Sequence, residues 1–140
     1  MKIAVLYAYA QNSKKTLVEA VSKALSDGIS SNGYDVDVFD MFPSVGYVKL
    51  SFYDYVVIIS QPMSFFSKAI PSVVFSFLSS AGVVSGKKCS CFITSFSLRK
   101  QKVLHSLMNA LESEGMFIRV SDYISGVNSA YVIGKHLKVD

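Results

Sequence analysis

The sequence predicts an α/β fold, a three-layer α/β/α sandwich built on a five-stranded parallel sheet in the order 2-1-3-4-5. Three observations predict it. Short apolar runs alternate five times with segments of helical period, the pattern of a parallel sheet joined by right-handed crossovers. The first and third runs are apolar on both faces, as strands covered by helices must be. The second alternates apolar and acidic residues and so belongs at a sheet edge. With 140 residues the chain has enough length for a full core, and residues 1–140 are expected to form one domain.

Residues 3–7 (IAVLY) are too few for a stable helix and read as a buried strand. Leu17, Val18, Val21, Ala24 and Leu25 then recur at helical spacing, with Lys14, Lys15, Glu19 and Lys23 filling much of the remainder. This helix is expected to fade through Asp27 and Gly28, with a turn at Asn32 and Gly33. Residues 34–41 form the second strand, with Tyr34, Val36 and Val38 on one side and Asp35 and Asp37 on the other. Residues 42–52 hold Pro43 and Gly46 without a clear period, and a loop with one helical turn is expected.

Residues 53–60 (YDYVVIIS) are the strongest strand and take the central position. Ile70, Val73, Val74, Phe77 and Leu78 share one helical face, with Pro71 in the first turn, where its missing N–H is harmless. Gly82 and Gly86 mark the exit. Residues 89–94 form the fourth strand. A helix over 98–114 carries Val103, Leu104, Leu107, Met108 and Leu111 and stops at Gly115. Residues 117–124 are the fifth strand, and 129–137 suit a short last helix.

Composition excludes several classes. Hydrophobic residues make up 51% of the chain and mean hydropathy is +0.38, yet Ser, Lys, Asp and Pro break every apolar run. None reaches the roughly 18 residues of a membrane span. Met1 leads into a strand without a basic leader or cleavage site, so a cytoplasmic location is expected. Excess apolar surface predicts a homo-oligomer. The net charge of +4 favours anionic partners, but the basic residues are dispersed, and no basic stripe with interleaved aromatics points to nucleic acid. Cys89 and Cys91, separated by one residue, are read as pointing to opposite sheet faces, unable to bridge or share a metal, and serving as small buried hydrophobes. No metal-ligand cluster is visible.

A ligand on such a sheet lies beyond the strand C-termini at the point where strand order reverses, here between strands one and three. Three loops meet there. The first holds Tyr9, Ala10, Gln11, Asn12, Ser13, Lys14, Lys15 and Thr16 at a helix start, where unpaired N–H groups and the macrodipole suit an anion. Asn12 and Ser13 are equally good caps for that helix. The second, residues 61–68 beginning at Gln61, holds Pro62, Met63, Ser64, Phe65 and Phe66; the third, residues 95–98, follows Thr94 with Ser95 and Phe96. A phosphate cradle beside flat apolar groups is what a phosphorylated planar heterocycle requires, and Lys14 or Lys15 offsets its charge. Phe65 and Phe66 also suit core packing or a subunit contact. A Mg²⁺-binding receiver domain needs carboxylates at the ends of strands one and three, and neither end has one.

The stretch Pro62, Met63, Ser64, Phe65, Phe66, Ser67, followed by the helix carrying Ile70 to Leu78, resembles the strand-three loop of flavodoxin-like FMN proteins, often S-P-V-Y-F-x-S/G before P-x-x-L-K-x-F. Residues 53–57 (YDYVV) and 130–137 (AYVIGKHL) add to the resemblance, which covers nearly the whole chain and is nearest to short NAD(P)H-dependent FMN and quinone reductases. The resemblance implies a flavodoxin-like sandwich, FMN as cofactor, NAD(P)H as donor and a quinone or similar small-molecule redox substrate as acceptor. The phosphate loop departs from it. Flavodoxins show S/T-x-T-G-x-T there, and residues 8–13 (AYAQNS) match it fully only at Ser13.

Flavin carries its own redox chemistry, so no catalytic acid or base is required. His105 reads as a residue flanking an apolar stripe, and His136 as solvated. Two other readings stay open: a flavodoxin-like domain that has lost FMN and serves as a binding or assembly module, and a one-electron carrier. The basic charge argues against the latter.

Overall fold

The computed structural model describes residues 1–95 and 97–140. Strands form where the apolar runs lie: β1 (Lys2–Ala8), β2 (Asp35–Asp40), β3 (Tyr55–Ser60), β4 (Lys88–Thr94) and β5 (Phe117–Ile124). All pair in parallel in the order β2-β1-β3-β4-β5, as the sequence predicts. β3 is central and every one of its residues is buried. Its register sets Ser60 opposite Ala8 of β1 and Ile93 of β4, so the strand tips line up along one side of the sheet.

Helices cover both faces. α1 (Lys15–Ser30) and α5 (Val127–His136) lie on one, where Val18, Val21, Leu25, Ile29 and Ala130 pack on Ile3, Val5, Tyr55, Val57 and Phe92. α2 (Met41–Ser44), α3 (Val73–Ser80) and α4 (Lys100–Ser113) lie on the other, packing Met41, Phe77, Val103 and Leu107 on Ala4, Leu6, Val56 and Ile58. Alternate residues of each strand feed the two cores, as the pleat requires.

Three expectations are corrected. Gly28 does not end the first helix; α1 runs on to Ser30, and the turn falls at Gly33, whose φ is +89°. Gly28 instead lets α5 approach. A Cβ there would stand 2.3 Å from the Tyr131 carbonyl oxygen, and one on Gly134 would stand 2.1 Å from that of Leu25. Next, Cys89 and Cys91 lie on the same sheet face, both in the core beneath α4, because residues two apart in a strand share a face. They are buried free thiols, and burial pushes both up to about 12. Finally, Pro71 precedes α3, with Ser72 at its N-cap, rather than sitting in its first turn.

The stretch 42–52 holds one turn of helix (α2) and a short 3-10 turn at Leu50–Phe52, close to expectation. Asp40 at the end of β2 starts α2, its Oδ1 accepting the Phe42 N–H at 3.0 Å.

Candidate functional site

At the tips of β1, β3 and β4 the three predicted loops converge on one side chain. Gln61, the residue after β3, is 1% exposed. Its Oε1 accepts the Ala10 N–H at 3.1 Å, and its Nε2 donates to Ser95 Oγ at 3.0 Å. A buried amide needs partners at both ends, and here those partners belong to the loops after β1 and β4. Gln61 also donates its own N–H to the Ala8 carbonyl at 3.3 Å. Ser95 has φ +75°, the one non-glycine residue with positive φ among the described residues. Serine resists that conformation, and the hydrogen bond from Gln61 helps hold it there.

Beyond Ala10 the chain makes a 3-10 turn, Asn12–Lys14, that leads directly into α1. The N–H groups of Gln11, Asn12 and Ser13 have no acceptor among the described residues; Lys14 is the first to bond back, to the Gln11 carbonyl at 2.9 Å. Asn12 and Ser13 do not cap the turn or α1 with their side chains, which overturns the capping reading. Asn12, Ser13, Lys14 and Thr16 are exposed. Lys15 is not available in the same way. Its Nζ pairs with Asp40 Oδ2 at 3.3 Å, and the Tyr9 hydroxyl donates to the same oxygen at 2.9 Å. Burial and the Asp40 hydrogen bond push the Tyr9 phenol up to about 12, so it stays a donor.

The loop after β3 turns outward. Met63, Ser64, Phe65 and Phe66 are exposed, Phe65 at 45% and Phe66 at 70%, which excludes core packing for these two rings. They meet edge to face with centroids 5.0 Å apart. The loop is anchored to the one after β4: the Phe65 carbonyl accepts both the Ser97 hydroxyl and the Leu98 N–H at 3.0 Å. Phe96, also expected at the site, lies outside the described residues.

The other predicted residues sit deeper. The Tyr9 ring is buried, its centroid 4.5 Å from that of Phe42. Pro62 is buried, and Thr94 is buried with its hydroxyl on the Ile124 carbonyl at 3.2 Å. The side chains of these three support the loops rather than line an opening. Gln61 opens the second predicted loop, but the sequence assigns it no role at the site. Its signal was faint: a lone amide between a buried strand and a proline.

A cavity of about 290 Å³ opens at the tips of β4 and β5, next to this cluster. Of the predicted site residues that the structure describes, Ser95 lines it. Among the described residues no group of three or more His, Cys, Asp or Glu is placed to hold a metal, and no helix is long and apolar enough to cross a membrane.

No protein-family model matches the chain, and no curated protein matches it. Solved structures do. It is similar to oxidised flavodoxin 2 of Bacillus cereus, with a TM-score of 0.73 and 16% identity over 96% of this chain and 95% of that one. Flavodoxin 1 of Bacillus cereus gives 0.71 at 16% identity, covering 99% of this chain and 100% of that one. Two-electron-reduced flavodoxin of Megasphaera elsdenii gives 0.70 at 15% identity, covering 95% and 96%. At such identities the likeness speaks for architecture: the chain has the flavodoxin-like fold.

Proposed function

We propose that this chain is an FMN-binding flavoprotein that takes electrons from NAD(P)H and passes them to a quinone or similar acceptor. One observation carries the reading. Gln61 fastens a turn with three unpartnered N–H groups to a loop region that presents two exposed aromatic rings, at the strand tips where this architecture places ligands. A phosphate needs the first and a flat ring system needs the second.

When bound, FMN supplies the electron-transfer chemistry. The chain's residues bind and orient. The N–H groups of Gln11, Asn12 and Ser13 would donate to the phosphate oxygens, with Lys14, which has no ion-pair partner among the described residues, adding positive charge. Phe65 and Phe66, already in contact with each other, would offer an apolar surface to one side of the ring system. Gln61 and Ser95 hold the loops in register. The likeness to flavodoxins supports the same reading. Exposed Phe117 and Val120 on the edge strand β5 support a homo-oligomer.

Titration with FMN, followed by quenching of flavin fluorescence, tests this. Binding tighter than about 50 μM is expected, and its absence at that level refutes the reading. Nicotinamide oxidation with a quinone acceptor then tests the reaction.

A second reading has its own observations. The Ala10 N–H is already taken by Gln61, Lys15 by Asp40, and the loop has no glycine. Those features favour a chain that kept the fold and gave up the cofactor to become a binding module. It predicts a colourless protein whose thermal midpoint FMN leaves unchanged.

A further inference from the structure

We propose that the cavity at the tips of β4 and β5 binds a small organic anion, a carboxylate carried on an aromatic or unsaturated body. This site is separate from the proposed phosphate turn and does not depend on flavin binding.

The lining has two parts. Ile93, Ile124 and the ring of Tyr123 make an apolar wall; Lys100, Ser95 and Ser125 supply polar groups. Lys100 Nζ sits 4.9 Å from the centroid of the Tyr123 ring, so the cation is held over the aromatic wall. No carboxylate lies within ion-pair distance of Lys100, Arg99 or Lys102 among the described residues. No acid lines the cavity among the described residues; Asp122, next to Tyr123 on β5, accepts the Tyr123 N–H at 2.8 Å. Ser95 Oγ receives a hydrogen bond from Gln61, which leaves its own proton to donate. A cation and a hydroxyl donor facing an apolar wall select a ligand with a negative end and a flat, greasy body.

The charge placement strengthens this. Arg99, Lys100 and Lys102 cluster at the start of α4, whose first turn has no acidic residue. A helix start carries partial positive charge and is where cations are least favourable. Three exposed cations there, without a carboxylate partner among the described residues, make this end of the sheet attractive to an anion. Size limits the class: about 290 Å³ is at the small end of ligand pockets, enough for one ring and a carboxylate and too small for a dinucleotide.

Benzoate is the probe, titrated into FMN-free full-length protein and followed by amide NMR shifts. Saturable shifts at Ser95, Lys100, Tyr123 and Ser125 are expected, with a dissociation constant of about 5 mM or tighter. Lys100→Gln is expected to weaken binding about tenfold or more, from the loss of a charge-assisted bond. Lys14→Gln, at the other end of the strand tips, leaves it unchanged. Tyr123→Leu is the second variant and weakens benzoate severalfold while keeping the cation. No saturation by about 50 mM benzoate, or equal affinity in Lys100→Gln, overturns the proposal. Inorganic phosphate binding the same amides more tightly than benzoate overturns the choice of a carboxylate with an apolar body. Because FMN is absent throughout, failure here is separate from failure of the flavin reading.

Discussion

Replacing Gly134 by alanine is expected to destabilise the protein, although alanine is the better helix former. Gly134 lies in α5 where it crosses α1. Its added Cβ would meet the Leu25 carbonyl oxygen at 2.1 Å, the Leu25 carbonyl carbon at 3.0 Å and the Ile29 nitrogen at 3.2 Å. All three are backbone atoms of a packed helix, so no side chain can swing aside. The helices must part by about 1 Å to restore ordinary contact, and a gap of that size forfeits a quarter to a half of each dispersion well across the interface. Overpacking of this kind costs about 1–3 kcal/mol or more. The alanine returns about 1 kcal/mol through helix propensity. Because the clash is with backbone atoms at 2.1 Å, the overpacking cost falls at the upper end of that range, and the balance is a net loss of about 2 kcal/mol, or roughly 4–8 °C in Tm for a chain of this length. Urea unfolding reads it as a lower midpoint with unchanged slope. Gly28→Ala, which meets the Tyr131 carbonyl oxygen at 2.3 Å and the Lys135 nitrogen at 2.7 Å, behaves alike. The double variant loses less than the two singles together, because one separation of the helices relieves both clashes. A rise in Tm for Gly134→Ala would refute the reasoning, since it would mean propensity governs and the helices are not in backbone contact.

Gln61→Ala leaves the Ala10 N–H and Ser95 Oγ without their shared partner; a loss of about 1–3 kcal/mol is expected in urea unfolding, and an unchanged midpoint counts against the clamp. Phe66→Ser, at a ring 70% exposed, moves stability by less than about 0.5 kcal/mol. The same substitution weakens FMN about threefold to tenfold if the ring flanks the flavin, and equal affinity removes it from the site. Stability is expected to be flat from about pH 6 to about pH 9, to decline on the acid side as Glu19, held low by its hydrogen bond and ion pair with Lys23, takes up a proton, and to fall on the alkaline side. Tyr9, Tyr7 and Tyr53 are all held above 10.0, chiefly by burial and then by neighbouring carboxylates, and Cys89 and Cys91 above 9.0. A folded pKa above the unfolded one gives stability that is complete below the unfolded value and lost as pH rises toward about 12. Phenolate absorbance and urea midpoints measured together check this; tyrosines that all ionise near 10.0 without loss of stability would contradict it.

The architecture was legible because it rests on burial patterns. Val56, Val57, Ile58 and Ile59 declare a strand covered on both sides, and the alternation from Asp35 to Val38 declares an edge. Gly28 misled because a glycine that permits a left-handed turn and one that admits a neighbouring backbone look the same in sequence. The exposed rings of Phe65 and Phe66 were legible as loop aromatics. Gln61 was not, because its role depends on partners 51 and 34 residues away and on no local period. The cavity beside Lys100 was equally hidden, since Ile93, Lys100 and Tyr123 come together only once β4, α4 and β5 have assembled.

A single amide bridging three separate segments also has a kinetic meaning. None of these segments can breathe alone without breaking a bond that another depends on. Their amide protons should therefore exchange with solvent in concert, through one shared opening, and whatever closes down on one segment will slow exchange in the other two.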